Sequence, residues 1–454
     1  VNRRTRDTQR TVEGHTQSEF IADVFAKKYE DLFTSVGYDE VEMDALRLEF
    51  EEKVEESGYD SNCLITFNEI TDAVSKLKPG KCDGDLGLSS DHVSNACDEL
   101  YIHIALLLSS LVVHGYVTDD LSFSTVLPIP KGKNLNYSDS SNYRGIALSS
   151  IFGKLFDLFV LSRYEPLLTT SNLQFGFKRG HSTSMCTMIL KETIDYYRTN
   201  GNDVYCTMLD ATKAFDRVEY CKLIRSILAK RLPVIIVRFL LNIYLFQATR
   251  IAWNGCNSQR INVVNGVRQG AVLSPVLFCN YLDELINDLQ TAKYGCYIGF
   301  CFVGVLAYAD DLVLLAPSAN ATRQMLKICD EFGERYSVVF NAAKSKCILC
   351  LANRPVRSYF ASKPIPVFYI GGNAIQYENE WPHLGHIISV NCDDTNDIMS
   401  RRSSLIGQIN NILCNFRQVD CSTKIRLVKA YCTSLYGCEL WDLSNNCIEN
   451  ICTA

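Results

Sequence analysis

Between Val305 and Leu315 the sequence sets two adjacent carboxylates, Asp310 and Asp311, between two apolar runs, Val305-Leu306-Ala307-Tyr308 and Leu312-Val313-Leu314-Leu315. The runs have the length and apolarity of two buried strands, with Ala309-Asp310-Asp311 as the tight turn between them. Two like charges about 4 Å apart repel by roughly 4 kcal/mol at an effective dielectric of about 20. A cation relieves that repulsion, and a divalent metal is the usual one. Taken alone, the stretch also reads as a solvent-exposed turn that contains Asp-Asp. A third carboxylate, Asp210, ends the β-like run that leads into Ala211-Thr212-Lys213-Ala214-Phe215-Asp216. An Asp at the end of a buried strand is a poor core residue and a good ligand for a hard cation. Its alternative use is to cap the following helix, a part that Asp216 fits better. Three carboxylates from two adjoining strands would suit two-metal phosphoryl transfer. One metal activates an attacking hydroxyl, and the other holds the polyphosphate and the leaving oxygen. Mg²⁺ suits such a site, because it takes a few carboxylates and completes its octahedron with phosphates and water.

Polyphosphate must itself be neutralised. Lys131, Lys133 and Arg144 lie in a glycine-interrupted loop region after a short apolar strand, Thr125 to Pro130, as groups that grip phosphates would. Exposed, solvated charge is the alternative for each of them.

The elements that would position these groups can be read from periodicity and punctuation. A loose basic arm, Val1 to Thr11, precedes a helix from Glu19 to Val36 with Phe20, Ile21, Val24, Phe25, Leu32 and Phe33 on one face. An acidic run over 39–60 reads as partly helical and as a solvated face. Thr66-Phe67-Asn68-Glu69 is a capping box that opens a helix, stopped by Pro79-Gly80. Lys78 to Gly84 is a basic turn without the spacing of a P-loop. Helices are expected over 90–114, 150–168, 182–199, 220–230, 235–246, 274–289 and 322–336. Strands are expected over 203–209 and 347–351. Thr249 to Trp253 and Gln259 to Val264 should pair over Asn254-Gly255. The tail from Ile398 to Cys452 reads as mostly helical and basic.

The chain has 454 residues, enough for a large core and two or more subdomains. No apolar run reaches the roughly 18 residues of a membrane span; the longest, Ile102 to Val113, is broken by His103 and two serines. The net charge of −6 is unevenly spread, with −8 within residues 39–60, which leaves the rest of the chain at +2. Local basic stripes on such a body can hold a phosphate backbone. The 20 cysteines show no metal-ligand spacing. Cys347 and Cys350 read as core thiols, and His383 with His386 as a structural pair. With no secretory signal, this cysteine usage suits a reducing intracellular compartment. Val1 at the start and Ala454 at the end suggest that both ends are cut from a longer reading frame.

The order and spacing of the stretches resemble the reverse transcriptase domain of non-LTR (LINE-type) retrotransposon polyproteins, over roughly residues 65 to 390. Leu127-Pro128-Ile129-Pro130-Lys131 and Asn142-Tyr143-Arg144-Gly145-Ile146-Ala147-Leu148 resemble its fingers motifs. Gln174-Phe175-Gly176-Phe177 with Gly180-His181-Ser182-Thr183 resembles a stretch typical of this branch. Leu209-Asp210 to Ala214-Phe215-Asp216 resembles motif A, and Gly266-Val267-Arg268-Gln269-Gly270 with Leu273-Ser274-Pro275 resembles motif B. Tyr308-Ala309-Asp310-Asp311 resembles motif C, Asn341 with Lys344-Ser345-Lys346 motif D, and His383-Leu384-Gly385 the primer-grip turn. The family usually has Pro-Ile-Ser where this chain has Gly145-Ile146-Ala147, and Tyr where it has His383.

The resemblance implies an α/β right-hand polymerase with fingers, a palm built on an antiparallel sheet, and a helical thumb. It divides the chain into an extension (1–60), fingers with the start of the palm (61–200), palm (201–392) and a partial thumb (393–454). It implies Asp210, Asp310 and Asp311 as catalytic metal ligands, with the backbone of Ala211 beside them, for two Mg²⁺ ions that Mn²⁺ could replace. Lys131 and Arg144 would contact the triphosphate, and Phe215 would lie under the sugar 2′ position. Gln269 and Gly270 would line the nucleotide pocket, and Lys344 or Lys346 would stand near the pyrophosphate. His383, Leu384 and Gly385 would hold the primer. The implied partners are an RNA template, a DNA primer and dNTPs, with no membrane and with an endonuclease supplied by a missing part of the polyprotein. The implied location is a cytoplasmic ribonucleoprotein and the nucleus. Two rivals share parts of this pattern: an RNA-dependent RNA polymerase, against which Phe215 argues, and a decayed RNA-binding copy, against which the intact Asp residues argue.

Overall fold

A computed structural model describes residues 11–57, 63–84, 87–132, 135–353, 365–432 and 435–453. Lys133 and most of the basic arm lie outside the described residues. The chain forms two compact units, each assembled from separated segments. One comprises Val1–Thr170, Lys213–Leu282 and Glu334–Val338; the other comprises Ser171–Thr212, Asp283–Gly333 and Val339–Ala454. Both mix helices with mixed sheets.

The first unit is built on a five-stranded sheet. Phe123–Pro130 pairs antiparallel with Tyr143–Leu148 and parallel with Ala248–Trp253, which pairs in turn with Cys256–Asn257 and Ile261–Asn262. Arg144 and Gly145 are therefore strand residues, opposite Ile129 and Pro128, and not part of the expected loop. The Asn254-Gly255 turn forms, with both residues at positive φ. It joins Trp253 to Cys256 directly, so the expected partner strand begins earlier than residue 259. A two-residue turn with both φ positive matches the twist of the flanking strands.

The helix Ser18–Phe33 covers this sheet with Ile21, Ala22, Phe25, Tyr29 and Leu32, one stripe of a 3.6-residue period. Phe25 packs on Trp253 (5.2 Å between centroids) and edge-on against Tyr143 (5.0 Å). Phe20, expected on that face, points to solvent. The acidic helix Glu40–Ser57 is more than a solvated face, because Met43, Leu46, Phe50 and Val54 are buried along it. Arg238 and Arg225 pair with its Glu51 and Glu42 at 2.9 and 2.7 Å. The capping box at Thr66 forms with both reciprocal bonds. The helix expected over 90–114 is two, Ser90–Ser94 and Asp98–His114.

The second unit holds a six-stranded sheet. Its order is Phe368–Ile370, Asn373–Tyr377, Lys346–Cys350, Val204–Asp210, Asp311–Ala316, Val305–Tyr308. The expectation of an antiparallel sheet holds along the last four strands and fails at Lys346–Cys350 with Asn373–Tyr377, which run parallel. A parallel neighbour needs a long connection, and residues 351–372 supply it. The helix Thr183–Thr199, capped by Ser182, packs Cys186, Leu190 and Ile194 against Val204, Cys206, Met208, Val313 and Leu315. Cys347 and Cys350 are buried in the sheet, and burial pushes the Cys347 thiol up to about 11. A hairpin, Glu380–His383 with His386–Ser389, precedes the tail helices Thr395–Asn415, Cys421–Tyr431 and Ile448–Cys452.

Candidate active site

Asp210 is the last residue of its strand and Asp311 the first of its own, and the antiparallel register places them directly opposite each other. The ladder continues below them for five more pairs, Leu312 to Ala316 with Leu209 to Tyr205, so mostly apolar side chains fix the register and the carboxylates ride at its end. Tyr308 pairs with Asp311 across the turn, whose first residue, Ala309, has φ +56°. Asp311 is exposed at its tip but crowded by protein behind. That crowding first, then the charges of Asp310 and Asp210, push its carboxyl up to about 6. Three mutually repelling carboxylates of this kind make a hard-cation donor set. Among the described residues, no three acidic, imidazole or thiol groups already converge tightly enough to hold an ion. The ligand candidates adjoin at the ends of paired strands. Lys344 stands beside Asp210, with Nζ 3.8 Å from Oδ2.

The loop carrying Lys344 is fastened to Asp210 itself. The N–H of Asn341 donates to the Asp210 carbonyl (2.8 Å), and the Asp210 N–H donates to Ser345 Oγ (3.1 Å). Ala211 bridges to Phe340 beside it. Lys346, the other lysine of the stretch, is buried. Its Nζ donates to Gln376 Oε1 at 2.5 Å and lies 3.5 Å from Glu378, which commits it to the fold. Asp210, Asp311, Lys344, Trp381, His383 and Leu384 line an open cleft of about 460 Å³.

His383 and His386 face each other across the Leu384-Gly385 turn, both of whose residues have positive φ. His383 is buried, and burial and then the charge of His386 push it down to about 4. It is neutral at physiological pH. The His386 Nε2 hydrogen-bonds Asp394 at 3.2 Å. Its Nδ1 lies 3.3 Å from Asp397 without the alignment of a hydrogen bond. Lys191 donates to Asp394 (2.6 Å) and the Trp441 indole to Asp397 (2.8 Å). The histidine pair is thus structural, and His386 fastens the turn to the tail.

In the first unit the cations gather. Lys131 Nζ donates to the carbonyl of Ser141 (2.8 Å), and Lys28 Nζ donates to the adjacent carbonyl of Ser140. Burial, then the charges of Lys131 and Lys213, push Lys28 down to about 8. An ammonium group with two others close enough to depress it marks a place for an anion. The sequence reading missed Lys28, because one lysine on an amphipathic helix carries no signal of what its turn of the helix approaches. Asp216 was also misread. Glu219 caps the helix Tyr220–Ala229, accepting from the N–H groups of Cys221 and Lys222. Asp216 instead is buried, and burial pushes it up to about 6 against the pull of Gln269, Lys213, Arg144 and Lys131. Its Oδ1 accepts from Gln269 Nε2 at 2.7 Å. Gln269 O also accepts from the N–H of Ala147 (2.7 Å), and a Cβ on Gly270 would meet Ala147 O at 2.8 Å. Phe215, half-buried, stacks on the fully buried Phe278 with centroids 4.1 Å apart. Gly145 is required where it stands, since a Cβ there would lie 2.9 Å from the Tyr29 ring. A separate cavity of about 290 Å³, lined by Asp83, Phe123, Arg250 and Arg260 among others, contains none of the residues expected to bind metal, nucleotide or primer.

The family described as reverse transcriptase (RNA-dependent DNA polymerase) matches residues 129–388. The chain belongs to the reverse transcriptase family. Among curated relatives, it is 24% identical over 404 residues to the RNA-directed DNA polymerase from mobile element jockey of Drosophila funebris, covering 82% of this chain and 41% of that protein. It is 28% identical over 236 residues to the Pol polyprotein from the type-1 retrotransposable element R2 of Nasonia vitripennis, covering 51% of this chain and 22% of that one. The probable RNA-directed DNA polymerase from transposon X-element of Drosophila melanogaster is 23% identical over 397 residues, covering 83% and 41%. These names bear out the retrotransposon resemblance drawn from motif order. The chain spans 41% or less of the length of each of these relatives.

Proposed function

We propose that this reverse transcriptase extends a primer 3′-hydroxyl on an RNA template, as part of a non-LTR retrotransposon polyprotein. The observation that carries the reading is Asp210 opposite Asp311 at the end of a buried ladder, next to the Asp310 turn. Asp210, Asp310 and Asp311 would hold two Mg²⁺ ions, with the backbone of Ala211 beside them. Bound there, the ions would lower the pKa of the primer hydroxyl and carry charge on the leaving pyrophosphate. Lys344 is then the proton donor to that leaving group, being the exposed lysine of its loop. Lys131, Arg144 and Lys28 would contact the triphosphate. Phe215, braced by Phe278, would close the floor under the sugar. Gln269 and Gly270 would shape the wall, and the His383-Leu384-Gly385 turn would hold the primer. In hand terms, 61–200 would serve as fingers with the start of the palm, 201–392 as palm and 393–454 as part of a thumb. An endonuclease would come from another part of the polyprotein.

Primer extension on an RNA template with dNTPs and Mg²⁺ tests the reading. Asp210→Asn, Asp310→Asn and Asp311→Asn should each abolish extension and leave template binding nearly intact. An Asp310→Asn protein extending at the wild-type rate would refute the metal assignment.

A further inference from the structure

The Gln174-Phe175-Gly176-Phe177 stretch has no part in the chemistry above, yet it touches the turn that carries it. Leu173 to Phe175 run beside the edge strand Val305–Tyr308. The Phe175 N–H donates to Ala307 O (2.7 Å), and the Ala307 N–H donates to Leu173 O (2.9 Å). The side chain of Gln174 is fully buried. Its Oε1 accepts from the N–H groups of Ala309 (2.9 Å) and Gly176 (2.8 Å), and its Nε2 donates to Ala309 O (3.5 Å). Two N–H groups can be met only by the amide oxygen, so the orientation of the carboxamide is fixed. Ala309 is the residue at φ +56° immediately before Asp310, a conformation that L-residues disfavour. Gly176 completes the clamp, since a Cβ there would lie 2.4 Å from the Ala309 nitrogen.

We propose that Gln174 is the positioning residue of the Asp310-Asp311 pair. Its carboxamide engages both backbone polar groups of Ala309 and holds that residue in the left-handed conformation. This sets the direction in which the two carboxylates leave the turn toward a divalent cation. The proposal rests on the reading of those carboxylates as metal ligands. Outer partners that orient metal ligands are commonly worth ten- to a hundredfold in metal affinity. A glutamine that merely filled buried space would affect thermal stability and leave metal affinity alone.

The test uses the whole chain as wild type, Gln174→Met and Gly176→Ala. Gln174→Met keeps length and volume without polar atoms, and Gly176→Ala pushes on the turn from the other side. Mn²⁺ binding is followed by electron paramagnetic resonance without nucleotide, and deuterium uptake is read on the peptide containing Ala309. Both variants should bind Mn²⁺ about tenfold more weakly or worse, with faster uptake at Ala309 and unchanged primer–template affinity. Excess Mg²⁺ should restore part of the extension rate. A folded Gln174→Met protein with wild-type Mn²⁺ affinity overturns the proposal. Rapid uptake at Ala309 in the wild-type protein also overturns it, and that measurement needs no variant. Equal Mn²⁺ binding by wild type and Asp310→Asn would strike the metal-ligand reading instead, and the uptake at Ala309 would still decide whether Gln174 clamps the turn.

Discussion

The ammonium of Lys344 lies 3.8 Å from Oδ2 of Asp210, on a loop whose Asn341 and Ser345 hydrogen-bond the carbonyl and amide of that same aspartate. The lysine and the acid are therefore placed by one set of hydrogen bonds, and a shift of either carries the other. As proton donor, Lys344 should contribute on the order of 10²–10⁴-fold to the chemical step. Lys344→Ala should lower the rate of single-nucleotide addition by that order with little change in dNTP or primer–template affinity. Lys346→Ala should instead lower the melting temperature, because it strips Gln376 and Glu378 of a buried partner. Rapid-quench kinetics on both variants separates the two, and an unaltered rate in Lys344→Ala would remove it from the chemistry.

The cationic cluster predicts a pH effect on nucleotide use. Lys28 is pushed down to about 8, so its charge is present below that pH and lost above it. In the free enzyme, kcat/KM for dNTP should fall as pH rises through about 8, and Lys28→Arg should erase that inflection by keeping the charge. Lys131→Ala and Arg144→Ala should raise the KM for dNTP by about ten- to a hundredfold, the equivalent of roughly 1.5–3 kcal/mol per charge-assisted contact. A change confined to RNA affinity would place these residues on the template instead.

Phe215 leans on Phe278 at stacking distance, so its ring has little freedom to retreat from a ribose 2′-hydroxyl. Burying that hydroxyl against a ring would cost it its hydrogen bonds to water as well as its space. Phe215→Val should therefore let rNTPs compete with a smaller loss for dNTPs, as read by single-nucleotide insertion. A wild-type preference for rNTPs would make the chain an RNA polymerase.

The buried network around His386 predicts a large effect on stability. His386 lies between Asp394 and Asp397, which Lys191 and Trp441 also engage. Removing one partner from a buried ion pair costs about 3–5 kcal/mol, so Lys191→Met should lower the unfolding free energy by that order, and His386→Ala, which takes a hydrogen bond from Asp394, by about 1–3 kcal/mol, both read by urea denaturation. His383 adds a dependence on acid. It is held neutral with a pKa of about 4 against about 6.5 unfolded. Its contribution is present above 6.5 and lost as pH falls toward 4. His383→Gln should flatten the decline in melting temperature over that window.

Sequence made the carboxylates and the strands beneath them legible, because apolar runs ending in charge are rare and their period is short. Motif order then supplied the family. Contacts between distant segments were not legible. Lys28, Gln174 and Asp216 act through partners more than 50 residues away: Ser140, Ala309 and Gln269. No local period reports such distances. The acidic helix misled because its charges outnumber the four apolar positions that Met43, Leu46, Phe50 and Val54 supply. The parallel pair in the second sheet was hidden by its connection, which lacks a helical signature.

The ladder between Val204–Asp210 and Asp311–Ala316 has a consequence for how such a sequence decays. Side chains alternate along a strand, so a slip of one residue would send Asp311 to the opposite face from Asp210. A substitution at Cys206, Met208 or Val313 that loosens the register therefore silences the enzyme as surely as loss of an aspartate. An old genomic copy could keep every recognisable motif and still be dead, with the lesion lying among hydrophobic residues that no motif records.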